Sequence, residues 1–282
     1  MRTIAHVSDL HFGRVDGEVL HGLQEELART NCELIVVSGD LTQRARVHEF
    51  QQAREFLDSL PLPRIVVPGN HDLSPLYSLA RWRTPLARYM RLITADLEPF
   101  YGDDELAVIG INTARATTFK GGRINRVQVI RACERLSSAT ATATRIIVTH
   151  HPFDLPLSGE GAIVGRARMA MAGFALCRVD MFLSGHLHVS HTGPTAMRYK
   201  ISGYSALVVE AGTAVSTRVR GEFNSWNLIQ IESGVITIQR YTWNVAGGRF
   251  EVIQTDRYQR GPDGWALLER PAPLGNRGIT SG

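Results

Sequence analysis

The chain is 282 residues long, 44% hydrophobic and 21% charged, with 31 Lys and Arg against 27 Asp and Glu. These proportions are those of a water-soluble globular protein able to bury one large core or two modest ones. They exclude a bilayer span, for which no apolar run comes near the roughly 20 residues required. A net charge of +4 is mild and scattered as on an ordinary arginine-bearing surface; it would suit an anionic substrate, but without any Lys/Arg run it argues against a nucleic-acid track.

Short Val- and Ile-rich runs recur along the chain: "TIAHV" (3–7), "LIVV" (34–37), "RIVV" (64–67), "LAVIGI" (106–111), "RIIV" (145–148) and "DMFL" (180–183). Each is bounded by Gly, Pro, Ser or a polar cluster and reads as a strand buried on both faces. Helical spacing fills the gaps: Val19, Leu20, Leu23 and Leu27 over 18–30; Val47, Phe50, Ala53, Leu57 and Leu60 over 45–60; Val127, Ile130, Cys133 and Leu136 over 126–136. Strands alternating with helices imply parallel sheets covered by helices. From 199 to 254 the chain turns strand-rich, with "ESG" marking a hairpin, and no helix is expected after about residue 178. Residues 255–282 are rich in Pro, Gly and Arg and are expected to form a loosely packed tail behind a 1–254 domain.

The amino terminus reaches Asp9 too soon for a secretory leader. The three cysteines, Cys32, Cys133 and Cys177, are odd in number and lack metal-motif spacing. Reduced thiols and a cytoplasmic location are expected.

Polar residues cluster where the apolar runs stop. Asp9 and His11 follow the first, Asp40 the second, Asn70 and His71 the third, His150 and His151 the fifth, and His186 and His188 the sixth. Carboxyl ends of parallel strands share one edge of a sheet, where ligands bind. Within "DLH" and "HLH" the two polar residues are one apart, so in an extended segment both face one side. Carboxylate, imidazole and amide donors without thiolate suit Mn, Fe or Zn.

In order, Asp9-Leu10-His11, Gly39-Asp40, Gly69-Asn70-His71-Asp72, His150 and Gly185-His186-Leu187-His188 resemble the signature of the calcineurin-like metallophosphoesterase superfamily. "GDLTQR" and "HHPF" look closest to its bacterial class III cyclic-nucleotide and glycerophosphodiester phosphodiesterases. The resemblance implies an α/β fold, a four-layer αββα sandwich of two mixed sheets flanked by helices, with 1–254 as the catalytic domain. It implies two metal ions, the first on Asp9, His11, Asp40 and His188, the second on Asp40, Asn70, His150 and His186, with Asp40 bridging. Asn70 and His71 would contact substrate. His71, left over from the metal count, would stabilise the transition state or protonate the leaving oxygen, with Asp72 orienting His71 or another group that supports the ligands.

The implied activity is hydrolysis of a small phosphodiester, of cyclic-nucleotide or glycerophosphodiester type, by a metal-bridging hydroxide. Rivals on the same site are a phosphomonoesterase and a nucleotide-linked lipid pyrophosphohydrolase. A catalytically inactive metal-binding scaffold would be expected to lose ligands, and none is missing. A nuclease would favour a basic channel interleaved with aromatics, which is not evident. A homo-oligomer is left open.

Blander expectations apply elsewhere. His6, His21, His48 and His191 read as ordinary structural or surface residues. His150 is preferred over His151 as a ligand because the family's ligand directly follows the strand. Arg44 is either a phosphate contact or the exposed start of a helix. Residues 74–104, with Arg81, Arg83, Arg88 and Arg91, and a glycine-bearing lid over 154–168 are candidates for shaping substrate choice.

Overall fold

Within each central strand alternate side chains enter different cores. Ile4, Leu34 and Val36 face one apolar layer, whereas Ala5, Val7, Ile35 and Val37 face another. The two-residue period of a strand produces this division. The computed structural model describes residues 1–60, 63–75, 78–118, 121–156, 161–218 and 221–269.

The elements run β1 (Arg2–Val7), α1 (Gly17–Arg29), β2 (Leu34–Val37), α2 (Val47–Ser59), β3 (Arg64–Val66), α3 (Leu79–Arg83), α4 (Ala87–Leu92), β4 (Phe100–Gly102), β5 (Leu106–Gly110), α5 (Arg126–Ser137), β6 (Thr144–Val148) and α6 (Ala167–Leu176). Strands follow: β7 (Met181–Ser184), β8 (His191–Pro194), β9 (Leu207–Glu210), β10 (Ser225–Glu232), β11 (Val235–Asn244), β12 (Arg249–Gly261) and β13 (Gly264–Glu269). They form a seven-stranded sheet, β13-β12-β11-β10-β1-β2-β3, and a six-stranded sheet, β4-β5-β6-β7-β9-β8. In the first, β1, β2 and β3 are parallel; in the second, β5, β6, β7 and β9 are. Both sheets are therefore mixed.

The sheets meet through a shared apolar layer that includes Ile4, Val36, Val148, Leu183, Val209 and Ile229. On the outer face of the first sheet, Val19, Leu23 and Leu27 of α1 and Phe50 and Leu57 of α2 pack onto Val7 and Val37. On the outer face of the second, α5 and α6 cover Ile109, Ile147 and Val208. This is the four-layer αββα sandwich expected from the sequence. No described helix is long and apolar enough to cross a membrane.

Three expectations are corrected. The 126–136 helix is present, but its buried face is Val129, Ala132 and Leu136, with Val127 and Ile130 more than half exposed. The cause lies at its start. Asn125 caps the helix by accepting from the Gln128 backbone N–H at 3.0 Å, and Gln128 Nε2 donates to the Asn112 carbonyl at 2.8 Å. Gln128 is thereby fixed toward the body of the protein, and the helix phase follows.

The expected loose tail is folded as far as Glu269. Residues 255–261 complete β12, and β13 pairs with it. The Gly- and Pro-rich "GPDG" is a hairpin turn. Trp265, 3% exposed, donates its indole N–H to Asp180 at 3.0 Å. The rest of the expected tail, 270–282, lies outside the described residues.

The cysteines are not all reduced. Cys133 and Cys177 form a disulfide across a sequence separation of 44, their Cα atoms 5.5 Å apart, and Cys32 is a buried free thiol. Two helices lying side by side on one sheet bring these residues within bridging distance, which linear spacing does not reveal.

Candidate metal centre

Residues from five strand ends converge at the common edge of the two sheets. Asp9 and His11 follow β1, Asp40 follows β2, and Asn70 and His71 sit in a 3-10 turn, Asn70–Asp72, after β3. His150 and His151 follow β6, and His186 and His188 follow β7. Ligand atoms lie within 4.8 Å of one another in the groups Asp9–His11–His188, Asp9–Asp40–His150, His11–Asp40–His71 and His150–His151–His186. The eight residues given site roles from the sequence, Asp9, His11, Asp40, Asn70, His71, His150, His186 and His188, all lie at this edge.

The backbone at this edge is unusual. Asp9, His11, Asp40, His186 and His188 all have left-handed φ values, between 49° and 76°. Non-glycine residues avoid this region, and it is held only where the surroundings over-determine it. Here each strand turns sharply at its last residues, so its polar side chains point across the edge. Gly39 makes the close approach possible. A Cβ there would sit 2.6 Å from Nδ1 of His150, and its φ of 99° belongs to glycine.

Each carboxylate is gripped on one side and open on the other. Asp9 Oδ2 accepts from Ser8 Oγ at 2.7 Å and from the His186 backbone N–H at 2.9 Å. Its Oδ1 lies 3.5 Å from His11 Nε2 and 3.6 Å from His188 Nε2. Asp40 Oδ1 accepts from the His71 backbone N–H at 2.8 Å, while Oδ2 lies 3.8 Å from His11 Nε2 and 3.4 Å from His150 Nε2. Asp40 thus stands between two groups of imidazoles. On the far side, His150 Nε2 is 3.2 Å from both Asn70 Oδ1 and His186 Nδ1.

The imidazoles are oriented from behind. Nδ1 of His150 meets the Ser38 carbonyl at 2.9 Å, and Nδ1 of His188 meets Thr213 Oγ1 at 2.7 Å. Such backing bonds fix which ring nitrogen faces a cation. His11 and His188 stack with ring planes 3° apart.

Burial disfavours ionised carboxylates here, but neighbouring imidazoles outweigh it, and Asp9 and Asp40 stay well below the usual range. Burial also pushes His150 down, yet Asp40 overrides it and the value rises to about 9. His186, desolvated and beside His150, falls to about 3. Asp9 Oδ1 and both ring nitrogens of His11 are fully buried without a hydrogen-bond partner among the described residues. Orphaned donors of this type converging on two carboxylates fit divalent cations.

The remaining candidates separate cleanly. His6 is a buried structural residue bonded to Ser38 Oγ at 2.9 Å. His151 meets Thr113 Oγ1 at 2.8 Å, with its ring 4.6 Å from that of His186. Asp72 does not touch the His71 ring; its carboxylate ties Leu41, Thr42 and Gly69 together through their backbone N–H groups. Arg81 is buried and donates to the carbonyls of Ser74, Ala116 and Thr118, so it builds the wall and is not free for substrate. Of the expected lid, residues 157–160 lie outside the described residues.

Sequence reasoning missed Thr213 and Arg218. Arg218 Nη1 is 2.9 Å from His71 Nε2. Thr213 carried a usable signal, since "LVVEAGT" repeats the pattern of an apolar run followed by Gly and a polar residue. Arg218 carried none.

The sequence model of the calcineurin-like phosphoesterases matches residues 2–190. The chain belongs to this family. It is a metal-dependent family of phosphoester hydrolases, and the calcineurin-like region holds all eight candidate residues. A curated relative, the glycerophosphodiester phosphodiesterase GpdQ of Enterobacter lignolyticus (strain SCF1), is 28% identical over 165 residues, 54% of this chain and 58% of that protein. The match thus spans little more than half of the relative's length. Among solved structures, PhoD superposes with a TM-score of 0.71 at 10% identity, covering 97% of this chain and 72% of PhoD. The purple acid phosphatase PPD1 from yellow lupin seeds gives 0.64 at 11% identity, covering 89% and 52%. At such identities these likenesses establish the calcineurin-like fold and nothing further.

Proposed function

We propose that this calcineurin-like phosphoesterase is a dinuclear phosphodiesterase acting on small diesters of glycerophosphodiester or cyclic-nucleotide type. The observation that carries the reading is the position of Asp40. Its Oδ2 faces His11 on one side and His150 on the other, as a carboxylate shared by two ions requires. Asp9, His11, Asp40 and His188 would hold one ion; Asp40, Asn70, His150 and His186 would hold the other. Mn, Fe and Zn all suit this donor set.

Two bound cations in such a site supply Lewis acidity toward the phosphoryl oxygens and an activated water as nucleophile. The protein's own part is to hold the donors, to place the Asn70 amide and the His71 ring beside the reacting phosphate, and to set a guanidinium next to them through Arg218. The diester preference draws support from GpdQ, a relative named for that activity.

A hydrolysis panel with added Mn²⁺ tests it, comparing bis-p-nitrophenyl phosphate, p-nitrophenyl phosphate, cyclic AMP and a glycerophosphodiester. Turnover of diesters is expected. Turnover of the monoester alone would replace the reading with a phosphatase.

A further inference from the structure

We infer that the cavity beside His71 binds a second phosphate of the substrate, so that, given the diesterase reading above, the chain selects small diesters whose alcohol portion is itself phosphorylated. The cavity has a volume of about 490 Å³, and Asn70 and His71 at the edge of the candidate metal centre line it. That is room for a nucleoside or sugar phosphate. Four arginines, Arg44, Arg46, Arg81 and Arg218, line it, and the described lining residues include no carboxylate.

The four are not equivalent. Arg81 is locked into the wall by three carbonyls, and Arg218 is directed at His71. Arg44 and Arg46 are exposed. The turn that presents them is built against its own preference: Ala45, between them, has a φ of 52°. Four hydrogen bonds to three side chains hold it there. Ala45 donates its N–H to Thr42 Oγ1 at 3.1 Å, and its carbonyl accepts from Arg88 Nη1 at 2.7 Å. The Glu49 carboxylate takes the backbone N–H groups of Arg44 and Arg46, at 2.8 and 3.1 Å. One oxygen of the nearby acid, Oε2, is thus occupied by the backbone, and both arginines line the cavity.

A left-handed alanine survives only where its surroundings fix it, and such positions gather at ligand clamps. Two guanidiniums on one fixed turn match a phosphate, which they can grip through paired N–H bonds. The His71 ring joins this wall to the reacting centre, since its Nδ1 is bonded to the Gln43 carbonyl at 2.8 Å. One phosphate at the metal edge and a second at Arg44 and Arg46 would span the site.

The test uses two substrates with the same scissile bond and leaving group, thymidine 5′-(p-nitrophenyl phosphate) with and without a 3′-phosphate. With Mn²⁺ present, kcat/KM is expected to be about tenfold higher for the 3′-phosphorylated ester. In the Arg44→Gln/Arg46→Gln variant the ratio is expected to fall to about twofold or less. Calorimetry on chelator-treated protein gives a second readout: thymidine 3′,5′-bisphosphate should bind about tenfold more weakly to the variant. Equal kcat/KM for the two esters, a ratio kept in the variant, or an unchanged Kd would overturn the inference. Bis-p-nitrophenyl phosphate serves as the separate control. Its failure to turn over would count against the diesterase reading, and the calorimetric comparison would then decide the cavity alone.

Discussion

Arg218 fixes the tautomer of His71. A guanidinium has only donors, so with Nη1 at 2.9 Å the Nε2 atom of His71 accepts. The single proton of the neutral ring then sits on Nδ1, which donates to the Gln43 carbonyl at 2.8 Å. Burial lowers the His71 pKa, with Asp40 pulling the other way, so the neutral form is favoured. In this arrangement Nε2 has no proton to give a leaving oxygen. Of the two roles expected from its position, that disfavours leaving-group protonation and leaves charge stabilisation to the Arg218 guanidinium, which His71 holds in place.

His71→Ala should therefore keep full metal content and lower kcat by about 10² or more, to similar extents for p-nitrophenyl and alkyl esters. A loss confined to alkyl esters would restore leaving-group protonation. Loss of metal would make His71 a ligand.

Asp40→Asn should lower the metal content and remove most activity, because a neutral amide bridges two cations poorly. Elemental analysis and turnover on one preparation check this together. Two ions per chain with near-normal rates would end the bridging assignment.

His150 and His151 are adjacent in sequence but differ in surroundings. His150 Nε2 faces Asp40, Asn70 and His186, whereas Nδ1 of His151 is bonded to Thr113. His150→Ala should weaken one metal site by about 10- to 100-fold or more in affinity, and His151→Ala by much less. Metal titrations showing the opposite order would exchange their roles.

Glu210, at the end of β9, is fully buried, and neither carboxylate oxygen has a hydrogen-bond partner among the described residues. Burial raises its pKa well above the usual glutamate value, helped by Asp154 and opposed by Arg198. Between the unfolded and folded values the native state holds the extra proton, so stability falls as pH rises through that window. Melting temperature should drop from about pH 5 upward, and Glu210→Gln should flatten the profile and raise it at alkaline pH. An unchanged profile in the variant would show that Glu210 is not the group responsible.

The strand ends were legible because strands buried on both faces leave uninterrupted Val and Ile runs, and a polar residue just beyond one is conspicuous. The covering helices were legible in extent but not always in phase. Val127 and Ile130 suggested a face that the Asn125 and Gln128 capping bonds overrule. Composition could not separate a tail from a hairpin at "GPDG", since Gly and Pro mark both. Arg218 was invisible for a different reason: it reaches His71 from 147 positions away, out of a loop with no motif.

Consider how the first sheet must be assembled during synthesis. β1 lies in its interior: Ile4 pairs with Leu34 on one side and with Ile229 on the other. At 5–20 residues per second the second partner emerges roughly 10–45 s after the first strand. Throughout that interval one flank of β1 presents unpaired backbone groups, the kind of edge that recruits other chains. The stretch that carries every candidate metal ligand, 2–190, therefore does not contain what closes its own first sheet. A chain stopped at residue 200 should aggregate or be rapidly digested by protease, and a soluble, protease-resistant product would refute this. The last strands, far from the chemistry in sequence, decide whether the site outlives its own synthesis.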